Sequence, residues 1–465
     1  MPIPHMAEDL SKAIASVGFA DLPSETVDVT KKSILDTLGV IVAASTLGEG
    51  CQKMVELAME GGGKEESTII GFGLKVPCWM AAFANGSMAH PLDYDDTHDE
   101  ALVHPTASTL PAALAAAERK GSVNGQSLVS AIALGNDLVV RLGLGPTVDI
   151  SEHGWQAPQL FGNFGATAAA AKILGLNEAQ VSNALSFTLS QASGTMEVGM
   201  GTGSVVRAVR DAFTGKTGVI SAIMAQKGLS GVKSWLDGKA GLCNLYFRGN
   251  YNLQPLVEDL GKRFGGTTVS FKPWPTCRFA HPYLTALFNL MREKNVRSDD
   301  IESVVLVVGG QGRMLCVPEE ERRSPQRVID AKFSLPFTIG IALAHGQVTL
   351  ADFTTEALHD SKVLAQVDKV SWRFDEGYKS GVTGGIERGL IEAKVRDGLL
   401  LSNRADFAYG HPKNPISMDH LIAKFQECCK HSVKPLSPDS IEQVVYLVTH
   451  IEEVKDISEI VRLLS

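Results

Sequence analysis

Three histidines and five carboxylates fall within the fifteen residues from His90 to His104: His90, His98 and His104, with Asp93, Asp95, Asp96, Asp99 and Glu100. Imidazoles beside carboxylates are the side chains that carry protons at neutral pH, so this run is the first candidate for chemistry. Pro105 suits the first position of a helix, which predicts His104 as N-cap of a helix over 105–119. A helix N-terminus disfavours an imidazolium, and a neutral His104 at that place can serve as a base or polarise a carboxylate. Two other readings stay open here. Asp95, Asp96 and Asp99 can be caps and solvated turn residues, or a His/Asp set built on His90, Asp93, Asp95, Asp96 and His98 can hold zinc or manganese. The spacing H-E-x-x-H is absent from the run.

A second run, Phe271-Lys272-Pro273-Trp274-Pro275-Thr276-Cys277-Arg278-Phe279-Ala280-His281-Pro282, places a thiol, a guanidinium and an imidazole ahead of another helix start. His281-Pro282 repeats the His104-Pro105 pattern, and two such helix mouths facing one cleft would attract an anion. Cys277 reads as an inert thiol, because no base is assured beside it. Gly215-Lys216-Thr217 imitates the end of a phosphate loop, but Arg210 stands where that motif needs glycine. The cluster Gly199-Met200-Gly201-Thr202-Gly203 lacks a surrounding βαβ unit, and no G-x-S-x-G elbow occurs.

The elements that must hold these runs change character along the chain. Residues 28–44, 105–119 and 124–143 carry apolar positions at helical spacing. Residues 162–193 are rich in alanine and glycine and predict a closely packed helix pair, with Gly175 as the stop between its members; residues 203–229 predict one more helix. After about residue 265 the texture turns mixed. Residues 304–308 read as a buried strand, 391–395 and 399–401 as a hairpin around Asp397-Gly398, 331–345 as helix, and the chain from 417 onward as helical again. The expected fold class is mainly α with a smaller α+β domain. The expected domains are an all-helical one over 1–265, an α+β lid over 266–416, and a helical tail over 417–465 that packs back on the first.

Composition sets the limits. The 465 residues exceed one compact core. A net charge of −9 offers no electrostatic footprint for nucleic acid. No apolar run approaches the roughly 18 residues of a membrane span, and the N-terminus lacks a basic-then-apolar leader, so no membrane partner and a cytoplasmic location are expected. Seven widely spaced cysteines without a C-x-x-C pair suit reduced thiols. A mean hydropathy just above zero hints at a homo-oligomer interface.

The chain resembles the MmgE/PrpD family, which includes 2-methylcitrate dehydratase, cis-aconitate decarboxylase and iminodisuccinate epimerase. The resemblance rests on Ile34-Leu35-Asp36-Thr37-Leu38-Gly39, Asn85-Gly86, Ala89-His90, the run Asp93–Thr97 and His104-Pro105. It continues through Leu174-Gly175-Leu176, Cys277-Arg278-Phe279, His281-Pro282, Ala331-Lys332-Phe333-Ser334, His411-Pro412 and Asn414-Pro415. It implies a helical domain with an α+β lid, a homodimer, no organic cofactor, a small carboxylic-acid substrate, and a site in the cleft between the domains. It implies catalytic or substrate-binding roles for Asp93, Thr97, His104 and His281, with Lys332 on the lid side.

Three positions depart from the family pattern. Arg207 and Arg210 stand where the family commonly has lysine and histidine, and Gln156 stands in Gly154-Trp155-Gln156-Ala157 where Gly-Trp-His-Pro is usual. Arginine stays protonated and cannot shuttle a proton, but it can clamp a carboxylate bidentately. Arg207, Arg210, Arg278, Lys332 and Gln156 are therefore the expected substrate-binding residues, with no metal required. The expected reaction is dehydration of a 2-methylcitrate-like acid, with cis-aconitate-like decarboxylation or iminodisuccinate-like epimerisation as runners-up. A metal-dependent hydrolase and a non-catalytic carboxylate binder are the rivals from other classes.

Overall fold

The computed structural model describes residues 5–200, 204–375, 377 and 386–465, and the chain divides into two compact units. Residues 201–203 of the glycine cluster lie outside the described residues. The first unit comprises residues 1–91, 95–269 and 417–465; the second comprises 92–94 and 270–416.

In the first unit, small residues set how closely the helices approach. Cys78–Ala89, Pro105–Lys120, Gly125–Gly143, Ala157–Leu174 and Asp211–Gln226 are buried over most of their lengths. A Cβ at Gly162 would lie 2.3 Å from Ser108 Oγ, and one at Gly86 would lie 2.4 Å from the Asp211 carbonyl. Two helix axes can come this near only where a side chain is missing. The predicted stop is there: Gly175 caps Ala157–Leu174 at φ 74°, and Asn177 opens Glu178–Leu189 with a reciprocal Gln180 capping box.

The tail is pinned to the first helices. Lys424, on Met418–Cys429, reaches Asp36 at 2.6 Å with both side chains buried, and Lys31 reaches Glu452 at 2.6 Å. A Cβ on Gly39 would touch Phe425 at 3.3 Å.

Three local expectations are corrected. The helix foreseen over 203–229 is two pieces, Val206–Val209 and Asp211–Gln226, which meet at Arg210. The stretch 331–345 breaks at Ser334, whose hydroxyl accepts the Phe337 N–H and caps a fresh helix, Leu335–His345. A short ribbon, Ser67–Ile69 paired with Leu74–Val76, interrupts the helical unit. The phosphate-loop imitation sits inside Asp211–Gln226, where a Cβ on Gly215 would lie 2.7 Å from the Ala82 carbonyl.

The second unit is built on a four-stranded sheet in the order Val370–Phe374, Ile301–Val308, Gly389–Val395, Leu400–Ala405. The first pair is parallel and the other two antiparallel. Val370–Phe374 went unforeseen because it is a short edge strand exposed over its last residues, with no apolar run to announce it. Tyr283, Leu284 and Leu287 of helix His281–Glu293 join Val304, Leu306, Ile391 and Phe337 in the core. Among the described residues no single helix is long and apolar enough to cross a membrane.

Candidate active site

Helix Cys78–Ala89 ends on His90, and helix Pro105–Lys120 begins after His104. The loop between them is drawn back on itself by the His98 N–H donated to the Val103 carbonyl at 2.9 Å. That closure brings the two terminal histidines to one carboxylate. His104 Nδ1 lies 2.8 Å from Asp95 Oδ2 and 3.1 Å from the Asp96 carbonyl. His90 Nδ1 lies 3.0 and 3.1 Å from the two Asp95 oxygens. The rings meet edge to face at 4.5 Å. His90 and Asp95 are wholly buried, whereas the His104 side chain keeps 14% of its surface.

Asp96, rather than His104, caps the helix through a side chain. It accepts the Thr106 N–H at 3.2 Å and the Thr106 hydroxyl at 2.5 Å, while His104 occupies the N-cap position but its side chain makes no capping bond to the helix. Asn136 donates to the Thr106 hydroxyl and accepts from Thr109, which completes a buried polar chain. Burial pushes the Asp96 carboxyl up to about 7; the nearby Asp36 and Asp95 charges add to this, and Thr106 opposes it. Solvated turn residues are thus the wrong description of Asp95 and Asp96, both of which are fully buried.

The remaining run residues separate. Thr97 is buried and donates to Asp99 at 3.0 Å. His98 accepts the Ala101 N–H and donates from Nε2 to Thr268. Of the set considered for a metal, only His90 and Asp95 come together, and they do so with His104. Their ligand atoms lie within 4.8 Å of one another, near enough to share an ion, and they are bridged as drawn by hydrogen bonds.

Beside this trio lies Asp211, which accepts the Ser108 hydroxyl at 2.7 Å and stands 3.5 Å from Arg210 Nε. Burial raises its carboxyl against the pull of Arg210, and the fields of Asp95 and His104 reach it. Arg210 is buried in this cluster, and Arg207 is half-buried on the preceding turn. Gln156 precedes Ala157–Leu174; its buried Oε1 has no hydrogen-bond partner among the described residues.

The second unit gathers another set. Asp93, in the left-handed region at φ 50°, stands 3.8 Å from Lys272 Nζ, with both side chains buried. His281 is fully buried and donates from Nε2 to the Thr276 carbonyl at 3.2 Å. Thr276 in turn donates its hydroxyl to the Lys332 carbonyl at 2.6 Å, so residues 276, 281 and 332 are tied together. Arg278 and Lys332 are buried in the same unit. The two helix mouths are not alike. His281 lies inside the first turn of its helix, after a short turn over Arg278–Ala280, whereas His104 precedes its own.

Lys272 is the functional candidate that sequence reasoning passed over. Its signal was present: a lone lysine between Phe271 and Pro273, in an apolar context where an ammonium needs a carboxylate.

Residues 8–254 match the MmgE/PrpD N-terminal domain, and residues 274–448 match the MmgE/PrpD C-terminal domain. The chain belongs to the MmgE/PrpD family. Within it, the chain is similar to the cis-aconitate decarboxylase of Homo sapiens, at 26% identity over 100% of this chain and 95% of that protein. A cis-aconitate decarboxylase-like protein of Aspergillus oryzae is 24% identical over 100% of this chain and 98% of its own length. The cis-aconitate decarboxylase of Aspergillus terreus is 23% identical over 96% and 93%. In this MmgE/PrpD chain His90, Asp95 and His104 lie within the N-terminal match and in the first unit. Lys272, His281 and Lys332 lie in the second unit, and the C-terminal match covers most of that unit and runs on into the tail of the first.

Proposed function

We propose that this chain is a lyase that removes carbon dioxide from a small tricarboxylate of the cis-aconitate type. The observation that carries the reading is His104, a partly exposed imidazole whose Nδ1 is held by a buried carboxylate. The Asp96 carbonyl can only accept, so the proton sits on Nδ1 and reaction chemistry falls to Nε2. Loss of carbon dioxide leaves its bonding electron pair on the substrate, delocalised toward a neighbouring carboxylate. The imidazolium form of His104 gives its Nε2 proton to that carbon, and a solvent proton restores it. Asp95 stabilises the imidazolium while it lasts. One proton is consumed for each carbon dioxide released.

Relatives named as cis-aconitate decarboxylases span the whole chain, and this moves decarboxylation ahead of the dehydration first expected. Dehydration uses related chemistry, with the neutral form of the same histidine taking a proton beside a carboxylate and the hydroxyl leaving as water after protonation, so it becomes an outcome of the test. Arg210, Arg207, Arg278, Lys332 and Lys272 are the proposed carboxylate-binding cations, with Gln156 as a polar contact. Asp93, Thr97 and His281 are the proposed accessory proton-transfer or orienting groups. A homodimer in the cytoplasm, with no nucleic-acid or membrane partner, completes the proposal.

The test is to incubate the purified chain with cis-aconitate, citrate, 2-methylcitrate and iminodisuccinate, following dissolved carbon dioxide and alkene absorbance, with and without chelator. The expected result is carbon dioxide from cis-aconitate at a chelator-independent rate. Silence on all four acids would overturn the reading, and loss of activity with chelator would point to the His90/Asp95/His104 set as an ion site.

A further inference from the structure

The loop ties His104 to a second histidine that has no surface at all. Asp95 is shared by the two touching rings, accepting from His104 Nδ1 at 2.8 Å through Oδ2 and from His90 Nδ1 at 3.0 Å through Oδ1. Two hydrogen bonds, one to each carboxylate oxygen, fix both torsions of a short side chain, which one bond would leave free to swing. The arrangement is graded by depth, with His90 and Asp95 at 0% side-chain exposure and His104 at 14%.

We infer that Asp95 and His90 are positioning residues, Asp95 fixing the tautomer and ring orientation of His104 and His90 fixing Asp95. The inference goes beyond the proposed reaction but reads its rate effects through that activity. An ionised Asp95 is acceptor-only, so both imidazoles present Nδ1–H to it. The Asp96 carbonyl imposes the same tautomer on His104 independently. His90 sits at the C-terminal end of helix Cys78–Ala89, which sets the carboxylate from a rigid element instead of from the loop itself. Both side chains are wholly buried, so their removal is expected to act on turnover and not on binding.

Selective 15N labelling of the twelve histidines tests the geometry without any substrate. His90 and His104 are each identified by the signal lost on substitution. The expected spectrum has both rings protonated at Nδ1 whether or not Nε2 also carries a proton; a ring protonated at Nε2 and not at Nδ1 overturns the inference. Kinetics on the active acid gives the second readout. Asp95→Asn keeps the size and an acceptor but loses the charge; it is expected to lower kcat by about 10²–10⁴ with KM little changed. His90→Leu is expected to lower kcat by about tenfold or more, and His90→Asn, whose amide N–H can replace Nδ1–H, to recover most of that loss. Equal rates for the two His90 variants, or a loss confined to KM, overturn the inference. If the variants fail to fold, the two rings are identified in wild type by the through-space contact between them, 4.5 Å from centroid to centroid, and the spectrum still decides. If wild type turns over none of the acids while both rings carry Nδ1–H, the proposed reaction has failed and the positioning geometry stands.

Discussion

At the residue scale the buried carboxyls are the most distinctive feature, and Asp96 gives a pH prediction of definite sign. Its folded pKa of about 7 lies far above that of an unfolded aspartate. Between about pH 4 and pH 7 the folded state therefore binds the proton more tightly than the unfolded state does. Stability falls as pH rises through that window and levels off above it. Asp96→Asn cannot ionise, so its melting temperature relative to wild type is expected to rise from pH 4 to pH 8. A flat difference across that range would contradict the assignment. Lys272 gives a second prediction. With its ammonium 3.8 Å from Asp93 and both side chains buried, Lys272→Met leaves a buried carboxylate without that cation, and a loss of about 3–5 kcal/mol is expected in urea unfolding. Asp93→Asn in the same background should recover part of it.

At the element scale, helix spacing decides where the proton-carrying groups stand. Gly162 lets Ala157–Leu174 approach Ser108, which holds Asp211, and Gly86 lets Cys78–Ala89 approach the Asp211 backbone. Gly162→Ala and Gly86→Ala are each expected to cost about 1–3 kcal/mol by overpacking, measured by denaturant unfolding. Gly310→Ala, where a Cβ meets nothing within 4 Å and φ is not positive, is the control without overpacking. Much of this layer was legible beforehand. The alanine/glycine pair, its Gly175 stop and a hairpin over 391–395 and 399–401 follow from composition and spacing, and the structure extends that hairpin to 389–395 and 400–405. The break at Arg210 was hidden, because Val206–Val209 and Asp211–Gln226 read as one helical pattern and nothing local marks the bend. The difference between the two His-Pro mouths was equally hidden, since the dipeptide is the same and only the preceding turn over Arg278–Ala280 distinguishes them.

At the scale of the whole molecule, the candidate groups come from segments far apart in sequence. His90, Asp95, His104, Arg210 and Asp211 belong to one unit, and Asp93, Lys272, His281 and Lys332 to the other. The loop at 90–104 announced itself through density of titratable types, but no local signal says that Asp95 is shared by two histidines or that Asp93 pairs with Lys272. Those facts need the tertiary fold. The C-terminal segment belongs to the first unit and is held there by the buried Lys424–Asp36 pair, so Lys424→Met is expected to destabilise that unit by about 3–5 kcal/mol in urea unfolding. Sedimentation is expected to give twice the 49.7 kDa of one chain, and a monomer at micromolar concentration would contradict the proposed homodimer.

The most direct measurement of the central claim is the release of carbon dioxide from cis-aconitate by wild type and by His104→Ala, followed by mass spectrometry. Wild type is predicted to release one carbon dioxide for each tricarboxylate consumed and to leave a dicarboxylate one carbon shorter. His104→Ala is predicted to lose about 10²–10⁴ of that rate while still folding. Turnover of His104→Ala at the wild-type rate, or consumption of the acid without carbon dioxide, would contradict the account.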